Sequence, residues 1–235
     1  MLKKWDKAAK IRREQIEKKL DLTLSEVFCP FYTDIISKES PTSVIEIGSG
    51  TGHLALHLSK KVKKYIGIEP SKGMFDVAQK VLKESNVELI NDLAENISPL
   101  ETYDLLLSHM CLQTIENIDE ILHSISLLMD EKSVFVFSIP HPCFWNNYSK
   151  WGADDYEYMN KTYGTVHLKI TKDPENQFEI PYAHRPLQHY FHSLNKNNLC
   201  VSNLTEIFPE ENIQALYGKP WKEPRYIAFF VVRAT

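Results

Sequence analysis

The stretch Val44–Gly52, V-I-E-I-G-S-G-T-G, restricts the fold of this chain more than any other part of it. Its first half is β-branched and apolar and follows Pro41, so Ser43–Ile47 is expected to be a buried strand. Glycines then alternate at Gly48, Gly50 and Gly52. Such a turn can reverse tightly, and it lets a ligand reach main-chain N–H groups where a Cβ would stand in the way. Beyond it, Leu54, Leu58 and Val62 share one face of an expected helix over His53–Lys63. Strand, glycine turn and helix read as the opening of an α/β sheet that binds at the carboxyl ends of its strands.

The spacing also narrows the ligand. A dinucleotide fingerprint, Gly-x-Gly-x-x-Gly, would need a glycine where His53 stands, and the Gly-Lys-Ser/Thr ending of a phosphate loop is absent. Downstream the alternation continues. Tyr65–Ile68 is a second strand ending at Glu69-Pro70, and Ser71 is placed to cap a helix carrying Met74, Phe75, Ala78, Val81 and Leu82. Val87–Ile90 and Tyr103–Ser108 are the third and fourth strands, Ile118–Met129 a helix, and Ser133–Ile139 the fifth strand. Residues 140–186 are rich in Pro, Tyr, Trp, Asn and His without clear periodicity, as expected of a functional cover. Leu187–Asn197 is then helical, and Cys200–Ile207 and Tyr226–Arg233 are closing strands, the last too apolar to be an exposed edge.

With these residues in place, E-I-G-S-G-T-G resembles motif I of the class I S-adenosylmethionine-dependent methyltransferases. The resemblance implies that the turn of Gly48, Ser49, Gly50 and Gly52 passes beneath the methionine part of the cofactor, and that Glu46 helps to organise the site. It implies that Glu69 takes both ribose hydroxyls, a role that suits a carboxylate because it offers two acceptors to two vicinal donors. Pro70 and Met74 follow on the same side. Asn91-Asp92-Leu93 is similar to the family's pair for adenine, with Asp92 accepting from the amino group and the Leu93 N–H reaching the ring. Tyr103–Ser108 resembles the strand that ends, at Ser108, under the sulfonium. One departure is Asp130-Glu131-Lys132 where the family usually has Pro-Gly-Gly. The implied fold is a Rossmann-like doubly wound α/β sheet of about seven strands, mostly parallel with an antiparallel last strand, plus an acceptor-side cap. One domain is expected: an N-terminal helical cap over 1–41, the cofactor-binding core over 42–140, an acceptor-side insert and helix over 141–200, and closing strands over 201–235.

Composition agrees with an ordinary globular chain: 235 residues, 43% hydrophobic and 25% charged. No apolar run approaches the roughly 20 residues of a membrane span. Lys3, Lys4, Lys7 and Lys10 interrupt the start, unlike a secretory signal. Cys29, Cys111, Cys143 and Cys200 form no Cys-x-x-Cys pair, which fits a reducing cytoplasm, and no His/Asp/Glu cluster has the spacing of metal ligands. With a net charge of −4, nucleic-acid binding is not expected. However, residues 1–19 carry a net +5 on a helix with Trp5, Ala9, Ile16 and Leu20 at helical spacing. That helix is either docked with a solvated basic face or in contact with a membrane or RNA.

Methyl transfer is an in-line displacement in which a lone pair is held about 3 Å from the methyl carbon. The acceptor should therefore meet the segments at the sheet's carboxyl edge: the start of the chain, His109–Gln113, and the insert after strand five. The insert opens I-P-H-P-C-F-W at Ile139–Trp145 and later reads Y-A-H-R-P-L at Tyr182–Leu187. Both strings resemble a bacterial small-molecule branch of the family, the type 11-like methyltransferases. His141, nearest the sulfonium by topology, and His184 are the candidate bases, since an imidazole can take a proton at neutral pH. His109, Trp145, Tyr163, Arg185 and His189 are candidates for holding the acceptor, with Tyr148, Trp151, Tyr156 and Tyr158 as further aromatic lining; Asp154-Asp155 reads as a solvated pair. The reading is of a small-molecule N-, O- or C-methyltransferase that converts S-adenosylmethionine to S-adenosylhomocysteine. Its alternatives are a tRNA or protein methyltransferase and a non-catalytic cofactor-binding module. Oligomeric state is not legible.

Overall fold

A computed structural model describes residues 2–146, 156–170, 172–218 and 220–234. Tyr148, Trp151, Asp154 and Asp155 lie outside the described residues. Among the described residues there are nine strands: β1 (Ser43–Ile47), β2 (Lys64–Ile68), β3 (Val87–Ile90), β4 (Leu105–His109), β5 (Val134–Pro140), β6 (Thr162–Ile170), β7 (Asp173–His184), β8 (Leu199–Ile207) and β9 (Tyr226–Arg233). Seven form a sheet in the order β3-β2-β1-β4-β5-β9-β8, and β6 pairs with β7 as a separate two-stranded ribbon. The chain divides into two units. One comprises Met1–Ile97, His167–Ile180 and Pro209–Pro220; the other comprises Ser98–Val166, Pro181–Phe208 and Trp221–Thr235.

In the first unit β1 and β2 run parallel with Ser43 opposite Lys64, and β2 and β3 run parallel with Tyr65 opposite Val87. Val44, Ile45, Ile47, Ile66 and Ile68 are all buried, so the strands are covered on both faces, as parallel strands require. The helix after the glycine turn, α3 (His53–Leu58), is shorter than the apolar spacing implies. It tightens into a 3-10 turn at Ser59–Lys61, and Val62 buries itself from an extended backbone instead. The next helix, α4 (Lys72–Val81), begins at Ser71, whose Oγ accepts from the Met74 N–H at 3.2 Å. Its apolar stripe of Met74, Phe75 and Ala78 is buried. The basic N-terminal segment is α1 (Leu2–Glu17), followed by α2 (Cys29–Glu39), and α1 packs against α4. It buries Ala8, Ala9 and Gln15, while Trp5, Ile16 and Leu20 are half-buried. Small side chains let the two helices approach closely.

In the second unit β4 and β5 are parallel, and β9 is antiparallel to both β5 and β8. The antiparallel last strand is thus inside the sheet, which explains its apolar length: Ile227, Ala228, Phe229 and Val231 are buried. Phe229 stacks on Phe137 of β5 with ring centroids 4.7 Å apart. Tyr190, from α6 (Leu187–Lys196), completes that cluster at 6.0 Å from Phe229. At the turn into β5, where the family has Pro-Gly-Gly, Asp130 substitutes a side chain for the glycines. Its Oδ1 accepts from the Lys132 N–H at 2.8 Å and the Ser133 N–H at 3.1 Å. Residues 162–170 and 173–184, expected to be irregular, form the ribbon instead. In β6 only Val166 is buried, and in β7 the buried residues are continuous from Ile180 to His184, so neither strand shows the alternation that marks a half-buried strand. No helix among the described residues is long and apolar enough to cross a membrane.

Candidate active site

The glycine turn works through left-handed backbone. Gly48, Gly50 and Gly52 have φ of 74°, 56° and 76°, a region that costs an L-residue about 1–2 kcal/mol. The Gly48 and Ser49 N–H groups both donate to Ile68 O, at 2.9 and 3.0 Å, which ties the turn to the end of β2. The glycines differ in what surrounds them. A Cβ on Gly52 would lie 2.8 Å from Leu82 Cδ1 and 3.2 Å from Ala78 Cβ, so Gly52 serves the packing of the turn on α4. A Cβ on Gly50 would meet nothing within 4 Å. Ser49 turns its hydroxyl toward Gly67, whose Cβ position is 3.0 Å away, and that Oγ is buried without a hydrogen-bond partner.

Glu69 is the centre of this region. It is 6% exposed, and each carboxylate oxygen accepts one main-chain donor: Oε2 from the Gly50 N–H and Oε1 from the Ser71 N–H, both at 2.8 Å. Its main chain is equally fixed, with its N–H on Ile90 O and its own carbonyl accepting from Asn91 Nδ2 at 2.8 Å. Burial pushes its pKa up to about 7 against the two N–H bonds, which lower it. Glu46, 2% exposed, accepts from the Tyr65 hydroxyl at 2.8 Å, and burial raises its pKa to about 8. Asp92 is exposed: its Oδ1 accepts from the Leu93 N–H and Asn96 Nδ2, both at 2.7 Å, and those bonds hold its pKa low. Leu93 is 44% exposed, Pro70 half-buried, and Met74 part of the α4 core.

In the second unit Ser108 is fully buried in β4, and His109, half-buried, pairs its Nδ1 with Ser138 Oγ at 2.9 Å. His141 is 2% exposed with both ring nitrogens engaged. Nδ1 accepts from the Cys143 N–H at 3.3 Å, which sets the tautomer, so Nε2–H points to Glu206 Oε1 at 3.1 Å. That ring has no lone pair left to take a proton. His184 differs. Its Nε2–H donates to Tyr158 O at 2.8 Å, and the remaining lone pair, on Nδ1, is buried with no hydrogen-bond partner. Burial and the Arg185 charge lower the pKa of His184, which keeps the imidazole neutral. Tyr156 and Tyr158 flank it edge-on, with centroids at 4.8 and 6.0 Å.

Arg185 is not free to meet an acidic acceptor. Its buried guanidinium donates to the carbonyls of Leu112 and Ala183 at 3.5 Å, of Glu116 at 2.6 Å, and of Ile115. It fastens the segment between β4 and α5 (Ile118–Leu127), where Gln113 is 3% exposed. Gln113 Nε2 donates to Met110 O at 2.7 Å, and its Oε1 is buried without a partner. Trp145 stacks on Tyr182 at 5.0 Å, His189 is half-buried, and Tyr163 is 42% exposed. The sequence places Gln113 only as the end of the segment His109–Gln113 and singles out neither Tyr65 nor Glu206. Tyr65 could be found once the register was known, because Tyr65 and Gly67 are alternate residues of β2 and Gly67 is opposite Glu46. Gln113 and Glu206 are ordinary polar residues with no sequence signal.

The sequence model of the family described as "Methyltransferase domain" matches residues 12–199. The chain belongs to that family. Among curated relatives, Saccharomyces cerevisiae "Probable S-adenosylmethionine-dependent methyltransferase CRG1" is 27% identical over 143 residues, 52% of this chain and 47% of that protein. Priestia megaterium malonyl-[acyl-carrier protein] O-methyltransferase is 29% identical over 120 residues, 47% of this chain and 44% of that protein. The chain thus spans about half the length of these relatives. A solved S-adenosylmethionine-dependent methyltransferase from Clostridium acetobutylicum superposes with a TM-score of 0.65 at 16% identity, over 88% of this chain and 91% of that one. The methyltransferase domain therefore has the Rossmann-like α/β fold expected from its sequence.

Proposed function

We propose that the chain transfers a methyl group from S-adenosylmethionine to a hydroxyl or amine of a small molecule. The observation that carries the cofactor half is the cradle of Gly50 and Glu69 within a methyltransferase domain. Each Glu69 oxygen holds one main-chain N–H and keeps a second lone pair, the arrangement that two vicinal ribose hydroxyls require. The space a Gly50 Cβ would fill suits close approach of the ligand to the turn. Asp92 Oδ2, which takes neither of the bonds on Oδ1, suits the adenine amino group. Bound there, the cofactor would supply an electrophilic methyl group, and the chain would supply orientation and a dry environment.

On the acceptor side, the support is that two of the buried acceptors without donors, His184 Nδ1 and Gln113 Oε1, belong to segments expected to meet the acceptor. Buried polar groups are normally paired, so these two favour a molecule that brings N–H or O–H donors. His184 is accordingly the candidate base, and His141, with both nitrogens engaged, acts by holding the start of the insert. Of the eight Lys and Arg side chains in residues 1–19, Lys4, Arg12, Arg13 and Lys18 are in ion pairs within the chain, and α1 packs on α4, which favours the docked reading of this helix.

The test is incubation with methyl-labelled S-adenosylmethionine and fractionated metabolites, with tRNA and protein extracts in parallel. Label in small molecules alone is expected, and a His184→Ala variant should lose most turnover while its affinity for S-adenosylhomocysteine stays within about threefold. Label in tRNA or protein would overturn the acceptor class. An unchanged thermal shift by S-adenosylhomocysteine in Glu69→Ala would overturn the cofactor site.

A further inference from the structure

The N-terminal helix meets the cofactor loop at one side chain. Asp6 Oδ1, on α1, accepts from Ser71 Oγ at 2.7 Å and from the Gly73 N–H at 2.9 Å. Ser71 is completely buried and is held from two sides: its hydroxyl donates to Asp6 and accepts from the Met74 N–H. With the hydroxyl so anchored, the Ser71 N–H is aimed at Glu69 Oε1. Gly73 makes the approach possible. A Cβ there would lie 2.7 Å from both the Cα and the carbonyl oxygen of Asp6, so the backbones of α1 and α4 touch where only glycine fits. Asp6 is 65 residues from Ser71 and 67 from Gly73, so this is tertiary docking, unlike the i,i+4 pairs elsewhere on α1.

We propose that Asp6 is a positioning residue for cofactor binding, acting on the Glu69 carboxylate through Ser71. This rests on the reading of Glu69 as the ribose acceptor. α1 is then part of the cofactor site, although none of its residues needs to touch the cofactor. Because linkage is reciprocal, a ligand that orders Glu69 also strengthens the docking of α1.

The test uses the full chain, with S-adenosylhomocysteine as the titrated probe and unfolding of each unliganded variant measured alongside. Asp6→Ala is expected to weaken binding about tenfold, the order of one hydrogen bond to a charged group. Asp6→Asn should stay within about twofold, because both bonds land on Oδ1, an atom asparagine keeps. In a Glu69→Ala background, which removes both acceptor oxygens, Asp6→Ala should cost less than about twofold, since the route through Glu69 is gone. Equal losses in both backgrounds, or wild-type affinity in Asp6→Ala, would overturn the proposal. A second measurement needs no variant: hydrogen exchange across residues 4–10 should slow at saturating S-adenosylhomocysteine, and unchanged exchange there would overturn the coupling. If Glu69→Ala alone leaves affinity intact, the cofactor reading itself fails, and the proposal fails with it for that distinguishable reason.

Discussion

Gly50 and Gly52 are two residues apart in one turn, yet the structure gives them different work, and alanine separates the two. Both have positive φ, so Ala at either position incurs about 1–2 kcal/mol of left-handed strain. At Gly50 that is the whole cost to folding, because nothing lies within 4 Å of the added Cβ. At Gly52 the Cβ also overlaps Leu82 Cδ1 at 2.8 Å and crowds Ala78 Cβ at 3.2 Å, and both neighbours are buried. Overpacking of that kind costs roughly 1–3 kcal/mol more. Gly52→Ala should therefore destabilise by about 2–5 kcal/mol, a large part of the 5–15 kcal/mol of an ordinary domain. The effect on ligand runs the other way. Gly50→Ala should weaken S-adenosylhomocysteine binding by more than about tenfold, whereas folded Gly52→Ala should stay within about threefold. Urea unfolding gives the first comparison and titration calorimetry the second. Equal destabilisation of the two variants, or full affinity in Gly50→Ala, would refute the division of labour.

Three further outcomes follow from buried polar groups. Glu69, with a pKa near 7, should bind S-adenosylhomocysteine more tightly as pH rises from 6 to 8, and Glu69→Gln should flatten the profile measured by titration. Glu46 holds its proton to about pH 8 when folded but loses it near its ordinary 4.5 when unfolded. The native state therefore binds the extra proton between those values, and stability contributed by Glu46 falls as pH rises through that window. Glu46→Gln should remove this slope and stabilise the unliganded protein at pH 9 by on the order of 2–5 kcal/mol, read from urea midpoints at pH 5, 7 and 9. Arg185→Lys should cost about 2–4 kcal/mol, since one ammonium cannot reach carbonyls at Leu112, Ala183, Ile115 and Glu116 together; a loss below 1 kcal/mol would argue against the fastening role.

What could be read in advance was whatever a short stretch decides by itself. β1 at Ser43–Ile47, β3 at Val87–Ile90, β9 at Tyr226–Arg233 and the Ser71 cap all lie where the sequence places them, because strand patterning and capping are local. The ribbon of β6 and β7 was not legible, because β6 buries one residue and most of the first half of β7 is exposed while its last five residues are buried without alternation. Nor were the partners of Arg185: a buried guanidinium that donates to main-chain carbonyls leaves no complementary acid to find. The same holds for Asp6, one acid among the lysines of α1, whose meaning depends on a glycine 67 residues away. The His141 and His184 rings looked alike in sequence, and only their hydrogen bonds separate a ring with a spare lone pair from one without.

The first unit is not a continuous length of chain, and this affects the order in which it can be completed. Gln15 of α1 is 1% exposed and finds its partners in Asp173 and Asn176, 158 and 161 residues later. Trp5 likewise meets Phe178, in the middle of β7. At roughly 5–20 residues per second of synthesis, α1 emerges about 8–30 s before the segment that closes over it. During that interval the nascent helix presents its amide and indole to solvent or to a chaperone. A fragment of residues 1–97 would hold the whole glycine turn and Glu69 and still lack a wall.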